Sequence, residues 1–314
     1  MLRAIGVRML SVIPVLIGIS VISFFLIRMI PGDVVSSIMG QDFADPAVEA
    51  EMRRYFGLDL PVWEQFWVWF VALLQGDLGT SMRTGRPVVV EIMELFPATL
   101  ELTLAATIVS LLIAIPLGIL SATRRNGPVD AAGRVGSLVG LSIPNFWFGI
   151  LLVVLFSVHL GWLPSSGSVP FAFSWDHFRF LILPAVTLGT SLAAITYRMT
   201  RSSLLEVLGE DYVRTARAKG LPESNVIGRH ALRNALIPVV TVIGIQVGGL
   251  LGGTVVVEQV FSWPGLGSLV VRAIAQRDYP LVQGTILFLA VFYVLVNLIV
   301  DIAYMYLNPR LRHQ

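Results

Sequence analysis

Long uncharged stretches alternate with short polar ones along this chain. Uncharged runs fall at 9–27, 102–123, 135–158, 180–197, 235–257 and 281–300. A helix needs roughly 20 such residues to cross a bilayer core, so the pattern predicts six transmembrane helices. The fourth run is the shortest and predicts a helix continuing through 198–208. Two polar intervals are longer than a connector requires, at 31–97 and 198–234. In the first, Asp45-Pro46 reads as a cap plus a first-turn proline and Gly57 as a stop, which predicts a helix over 46–56. Pro61 opens a second, to Gln75, that carries Trp63, Phe66, Trp67, Trp69 and Phe70. Either the headgroup layer or a small soluble core accommodates so much aromatic surface. A loop follows at 76–81, and Arg86-Pro87 leads into a helix ending near Pro97.

Composition agrees with membrane residence. The 314 residues are 55% hydrophobic and 13% charged, where a soluble domain carries roughly 25% charge. Mean hydropathy is +0.79. The first run is too long for a signal-peptide core and has no Ala-x-Ala site, so it reads as an uncleaved span. A net charge of +2 gives no indication of nucleic acid. The absence of cysteine excludes disulfides, thiol catalysis and thiolate metal sites. No phosphate-cradling loop is present: Lys219 is followed by Gly220 and Leu221. His159, His177, His230 and His313 form no pair at helical ligand spacing, and there is no Gly-x-Ser-x-Gly elbow. The reading is therefore a chain that is no enzyme, with no metal and no cofactor of its own.

Arginines set the orientation. With an even number of spans both termini share a side. Placing them in the cytoplasm puts Arg3, Arg8, Arg124, Arg125, Arg134, Arg310, Arg312 and the cations of 198–234 inside, leaving Arg179, Arg272 and Arg277 on the short outer loops. The domain reading is then 1–30 as the N-terminal cytoplasmic end and span 1, and 31–97 as an external helical segment. Residues 98–308 form a core of spans 2–6, with a cytoplasmic loop at 198–235, and 309–314 a cytoplasmic tail.

Breakers interrupt the spans. Pro116, Pro144 and Pro184 kink or start helices, and Ser142 with Pro144-Asn145 predicts a bent, polar turn in the third. The fifth carries Gly244, Gly248, Gly249, Gly252 and Gly253 at overlapping G-x-x-x-G spacings, which suit close helix packing or a smooth pore wall. Ser142, Asn145, Gln246, Gly249 and Gly253 are the candidates for a translocation path. Glu258 closes the fifth span on the outside, and Asp301 reads as an ion-pair partner of Arg198 or Arg310.

Cations are densest in 198–238, where Arg198, Arg201, Arg214, Arg217, Lys219, Arg229 and Arg233 fall together. Gly209 breaks one helix, and Glu210 and Asp211 open the next at the positive end of its dipole. Gly220 stops it in a left-handed turn, and Pro222 starts a third. Val213, Ala216 and Gly220 share a small, smooth face that would fit a groove on another protein. The alternative is a solvated loop whose arginines only mark the cytoplasmic side.

The stretch Asp-Tyr-Val-Arg-Thr-Ala-Arg-Ala-Lys-Gly-Leu at 211–221 resembles the docking loop of ABC importer permeases, in the variant of the peptide and nickel importers. Arg214 and Thr215 stand where the general motif has Glu and Ala. Further motifs carry the resemblance: Ile-Arg-Met-Ile-Pro-Gly-Asp at 27–33, Gln-Gly-Asp-Leu-Gly-Thr-Ser at 75–81, Pro-Ala-Thr-Leu-Glu-Leu-Thr at 97–103 and Ser-Ile-Pro-Asn-Phe-Trp at 142–147. Leu-Gly-Trp-Leu-Pro-Ser-Ser-Gly at 160–167, Arg-Met-Thr-Arg-Ser-Ser at 198–203, Phe-Ser-Trp-Pro-Gly-Leu-Gly at 261–267 and Arg-Asp-Tyr-Pro at 277–280 follow in the same order. Together they resemble the B-type permease of dipeptide, oligopeptide, glutathione and nickel importers.

The resemblance implies an all-α, type I ABC importer permease in the bacterial inner membrane. It implies a C-type permease as heterodimer partner and two ABC ATPase subunits that hold ATP and magnesium. The ATPases would receive Asp211, Tyr212, Val213, Arg214, Thr215, Ala216, Arg217, Ala218, Lys219 and Gly220 as a coupling helix. An extracytoplasmic substrate-binding protein would dock near Asp77, Trp263, Arg277 and Asp278. A secondary transporter or a non-transporting membrane scaffold are the readings from other classes; the former requires intramembrane acids or repeat symmetry that the sequence does not display.

Overall fold

The computed structural model describes residues 2–29, 35 and 46–307, and the described residues are almost entirely helical. They form two compact units, 1–98 with 264–294, and 99–263 with 295–314. Four helices are long and apolar enough to cross a membrane: Val88–Thr123, Trp175–Leu208, Glu223–Leu250 and Tyr279–Val300. A bent pair raises the number to five. This is fewer than the six expected, in part because the apolar stretch described within the first helix is confined to Val12–Phe25.

The first unit begins with α1 (Leu2–Arg28), followed by α2 (Pro46–Tyr55) and α3 (Val62–Leu74). Pro61 sits just before α3 in an extended conformation, so it caps the helix and does not start it. Phe66 and Trp69 of α3 pack on Phe24 of α1, with ring centroids 5.2 and 5.4 Å away. Arg28 locks the pair: its guanidinium lies 3.5 Å over the Phe24 ring and donates from Nε and Nη2 to Gln65 Oε1. The aromatic helix thus has a packed face and an open one, the latter bearing Trp63, Trp67, Val68, Val71 and Leu74.

The core of this unit joins distant sequence. Val88 and Ile92 open α4 (Val88–Thr123), Leu266, Leu269 and Ala273 belong to α11 (Leu266–Ala275), and Tyr279 and Val282 to the start of α12 (Tyr279–Leu307); all are buried together. No break occurs at Pro97: the helix expected before it and the second span are continuous.

In the second unit α7 (Trp175–Leu208) is the most buried helix, packed against α5 (Pro128–Ser142), α6 (Asn145–Leu152) and α9 (Leu232–Gly253). The expected third span is not one rod. It bends by 104° between Pro128–Ser142 and Asn145–His159. Pro144 has no N–H to continue the ladder and forces Ile143 into an extended conformation (φ −84°, ψ 125°). Past Leu152 the helix widens to π-helix over Val153–His159. The expected fifth span is also recut. It begins as Glu223–Asn225, passes through a π-helical turn Val226–Ala231 and becomes α9; Thr254 then separates α9 from α10 (Val255–Val260).

Glycines let these helices touch. A Cβ on Gly133 would lie 2.3 Å from the Tyr197 hydroxyl, and one on Gly244 2.2 Å from Val300. Tyr197 in turn donates to Ser121 Oγ at 3.0 Å.

Candidate functional site

The short helix α8 (Asp211–Ala218) lies between α7 and α9 in sequence, and the local sequence accounts for both of its ends. Glu210 precedes it in an extended conformation and Asp211 places an acid in its first turn. Gly220 takes φ +77°, a left-handed turn that L side chains rarely adopt, with open space around it. The requirement for glycine there is conformational, not steric.

The packing of α8 corrects one expectation. Val213 is fully buried and Ala216 is 5% exposed, in a cluster with Ala122, Leu204, Val226, Ala231 and Ala235 of the same chain. The small face therefore seats the helix on its own protein and is not free for a partner's groove. Burying these apolar side chains at home removes area from water without waiting for a partner.

The outward face consists of Asp211, Tyr212, Arg214, Thr215, Arg217, Ala218 and Lys219, all exposed. Local bonds orient it. Arg217 donates to both oxygens of Glu223, at 3.1 and 2.7 Å. That bond, more than the Coulombic attraction accompanying it, raises the guanidinium pKa above its ordinary value. Arg214 reaches Asp211 at 3.4 Å, and Thr215 donates to the Asp211 carbonyl. The Tyr212 hydroxyl accepts from Asn234 Nδ2 at 2.8 Å, tying α8 to α9.

The candidate path residues do not form one lining. Gln246 accepts from Thr196 Oγ1 at 2.9 Å and donates to the Leu192 carbonyl, so it cross-links α9 to α7. Ser142 is exposed, but its hydroxyl donates back to the Leu138 carbonyl. Asn145 is half-buried just after the bend, and Gly249 faces open space. The surroundings of Gly253 and the side chain of Asp301 lie outside the described residues, as do 309–314 and most of the motif at 27–33.

Two of the four candidate docking residues point inward. Trp263 is 1% exposed, with its ring beside His177. Asp278 is fully buried; it accepts from Ser81 Oγ and from the backbone N–H of Met82 and Leu281, and so pins the 76–87 loop within the first unit. Neither can meet a partner directly. Asp77 is exposed and accepts from the Gly79 N–H at 2.7 Å; Arg277 is half-buried in a left-handed turn (φ 57°).

Sequence reasoning missed the buried polar pairs of the second unit. His177 is bonded to Glu101. Glu258, expected at a span's outer end, is fully buried in α10 and accepts from Thr99 and Thr254. Buried Asp130 accepts from Arg201 and from the Asn126 N–H. The bonds Glu101–His177, Thr99–Glu258 and Asp130–Arg201 join positions tens of residues apart, at no helical spacing, so no local pattern marks them. Among the described residues no group of three His, Cys, Asp or Glu side chains is placed to hold a metal ion.

Residues 114–313 match the model of the binding-protein-dependent transport system inner membrane component, and residues 1–103 that of its N-terminal region. The chain is 46% identical to the di/tripeptide transport system permease protein of Pseudomonas aeruginosa over the full length of both. It is likewise 46% identical, over the full length of both, to the glutathione transport system permease protein of Salmonella choleraesuis. A dipeptide transport system permease protein of Alkalihalophilus pseudofirmus is 42% identical over 98% of each chain. In fold, 69% of the chain matches 96% of a chain of the inward-facing MetNI methionine ABC transporter, with 20% identity and a TM-score of 0.56.

Proposed function

The chain belongs to the family of binding-protein-dependent transport system inner membrane components, and from that premise we propose that it is the permease subunit through which an ATP-driven importer passes di- and oligopeptides. The single observation that carries the cargo is 46% identity, end to end, with a di/tripeptide permease protein. Glutathione, itself a short peptide, is the second reading, because a permease named for it is equally similar. The family is one of membrane components, and this chain has no nucleotide-binding motif, so ATP hydrolysis falls to separate subunits.

In this reading α1 is the first of six spans and both termini lie in the cytoplasm, the arrangement that keeps most arginines inside. A C-type permease completes the pathway, two ATPases bind ATP with magnesium, and an extracytoplasmic binding protein delivers cargo. The outward face of α8, led by Tyr212, Arg214, Arg217 and Lys219, meets an ATPase, while Val213 and Ala216 transmit its motion to α4, α7 and α9. A helix end seated in a packed cluster moves with that cluster, because close-packed interiors deform little.

The test is uptake of labelled dipeptide into proteoliposomes holding the complete transporter. ATP-dependent uptake supports the proposal. Uptake driven by a proton gradient without ATPase subunits identifies a secondary transporter instead, and preference for glutathione over dipeptides selects the second reading. Changing Arg214 to Glu should weaken ATPase capture on the membrane complex; unchanged capture would remove α8 from the interface.

A further inference from the structure

A cavity of about 620 Å³ opens between α5, α7 and α9 of the second unit. Its lining combines two chemistries. Arg134, Arg198 and Arg201 supply guanidinium groups, while Leu138, Ile195 and Val242 supply aliphatic wall.

The two are sorted along the helices. Asp130 meets Arg201, Gly133 meets Tyr197, and Gly140 meets Ala194, so α5 and α7 run antiparallel. Arg134 therefore lies near the same end of the pair as Arg198 and Arg201. About one turn further in, Leu138 follows Arg134 on α5 and Ile195 precedes Arg198 on α7. Leu138 is 64% exposed and Ile195 43%.

The arginines are not equivalent. Arg201 is spent on buried Asp130, to which it donates from Nε and Nη2. That carboxylate also accepts the Asn126 N–H, and Arg134 reaches it only at 3.8 Å with a largely exposed side chain. Arg198 is exposed, and its side chain makes no hydrogen bond or ion pair with any described side chain. Among the described side chains, one carboxylate faces three guanidinium groups, which leaves the mouth of the cavity positive and the fork-shaped donors of Arg198 without an acceptor there.

We propose that this cavity binds an anionic phospholipid, its phosphate held by Arg134 and Arg198 and an acyl chain lying along Leu138, Ile195 and Val242. Basic pockets between transmembrane helices on the cytoplasmic side suit such headgroups. A soluble anion would leave the aliphatic wall uncovered, and an apolar partner helix would bury the guanidinium groups without an acceptor. The inference rests on the orientation proposed above, which places this end of α5 and α7 at the cytoplasmic leaflet.

The experiment titrates the detergent-purified, assembled transporter with fluorescent phosphatidylglycerol and, in parallel, fluorescent phosphatidylcholine. Saturable binding of phosphatidylglycerol alone is expected. The double variant Arg134→Gln/Arg198→Gln should weaken it roughly 30-fold, the loss of two charges each contributing about 1 kcal/mol near a membrane surface. Arg134→Lys/Arg198→Lys keeps the charge and should keep most of the binding, which controls for folding. Unchanged binding in the Gln variant, equal binding of phosphatidylcholine, or loss as severe in the Lys variant would overturn the assignment. Displacement by millimolar inorganic phosphate would overturn it in favour of a soluble-anion site. The readout needs no transport, so failed uptake with intact lipid binding would count against the transport reading and leave this one standing.

Discussion

Asp278 shows how a single side chain can hold a loop that has little secondary structure of its own. Its carboxylate is fully buried and accepts one hydroxyl and two backbone N–H groups. Asp278→Ala leaves those donors unsatisfied and should cost about 2–4 kcal/mol, read as a lower melting temperature of the detergent-solubilised protein. Asp278→Asn keeps a carbonyl acceptor and should cost less. Gly220 works through conformation alone. Alanine there meets no atom, yet must hold φ +77°, which costs about 1 kcal/mol. Gly220→Ala should therefore fray the end of α8, seen as faster protease cleavage near Lys219, with the membrane helices unaffected.

At the level of helices, the glycines of α9 separate into two kinds that their spacing does not distinguish. Gly244 packs on Val300 of α12, where an added methyl would overlap, whereas Gly249 faces open space. Gly244→Ala should lower thermal stability by an overpacking cost of about 1–3 kcal/mol, and Gly249→Ala should leave the solubilised chain unchanged. If Gly249→Ala disturbs only the assembled transporter, the open face of α9 is covered by another subunit. The same division applies to α8: its small side chains are internal support and its charged ones the free surface, the reverse of what a smooth docking face requires.

For the whole molecule, the question is where the energy for transport enters. The chain carries no phosphate-cradling motif, and its family is a membrane component served by a binding protein. Reconstituted alone, it should give no ATP-dependent peptide accumulation, and uptake should appear only when ATPase subunits, the second permease and the binding protein are added together. Accumulation by the isolated chain would contradict the coupling scheme.

The sequence by itself determined membrane residence, the helical class, the bounds of α8 and the family, because these follow from local quantities: the length of apolar runs, cap and stop residues, and short ordered motifs. It also marked Pro144 as a bend. It did not reveal that 264–294 packs with the segment after span 1, that Asp278, Trp263 and Glu258 face inward, or that Asp130 takes Arg201 as its partner. Those outcomes depend on which distant side chains meet. A buried carboxylate and an exposed one look alike in a string of residues, and only the packing around each decides whether it holds the fold or faces a partner.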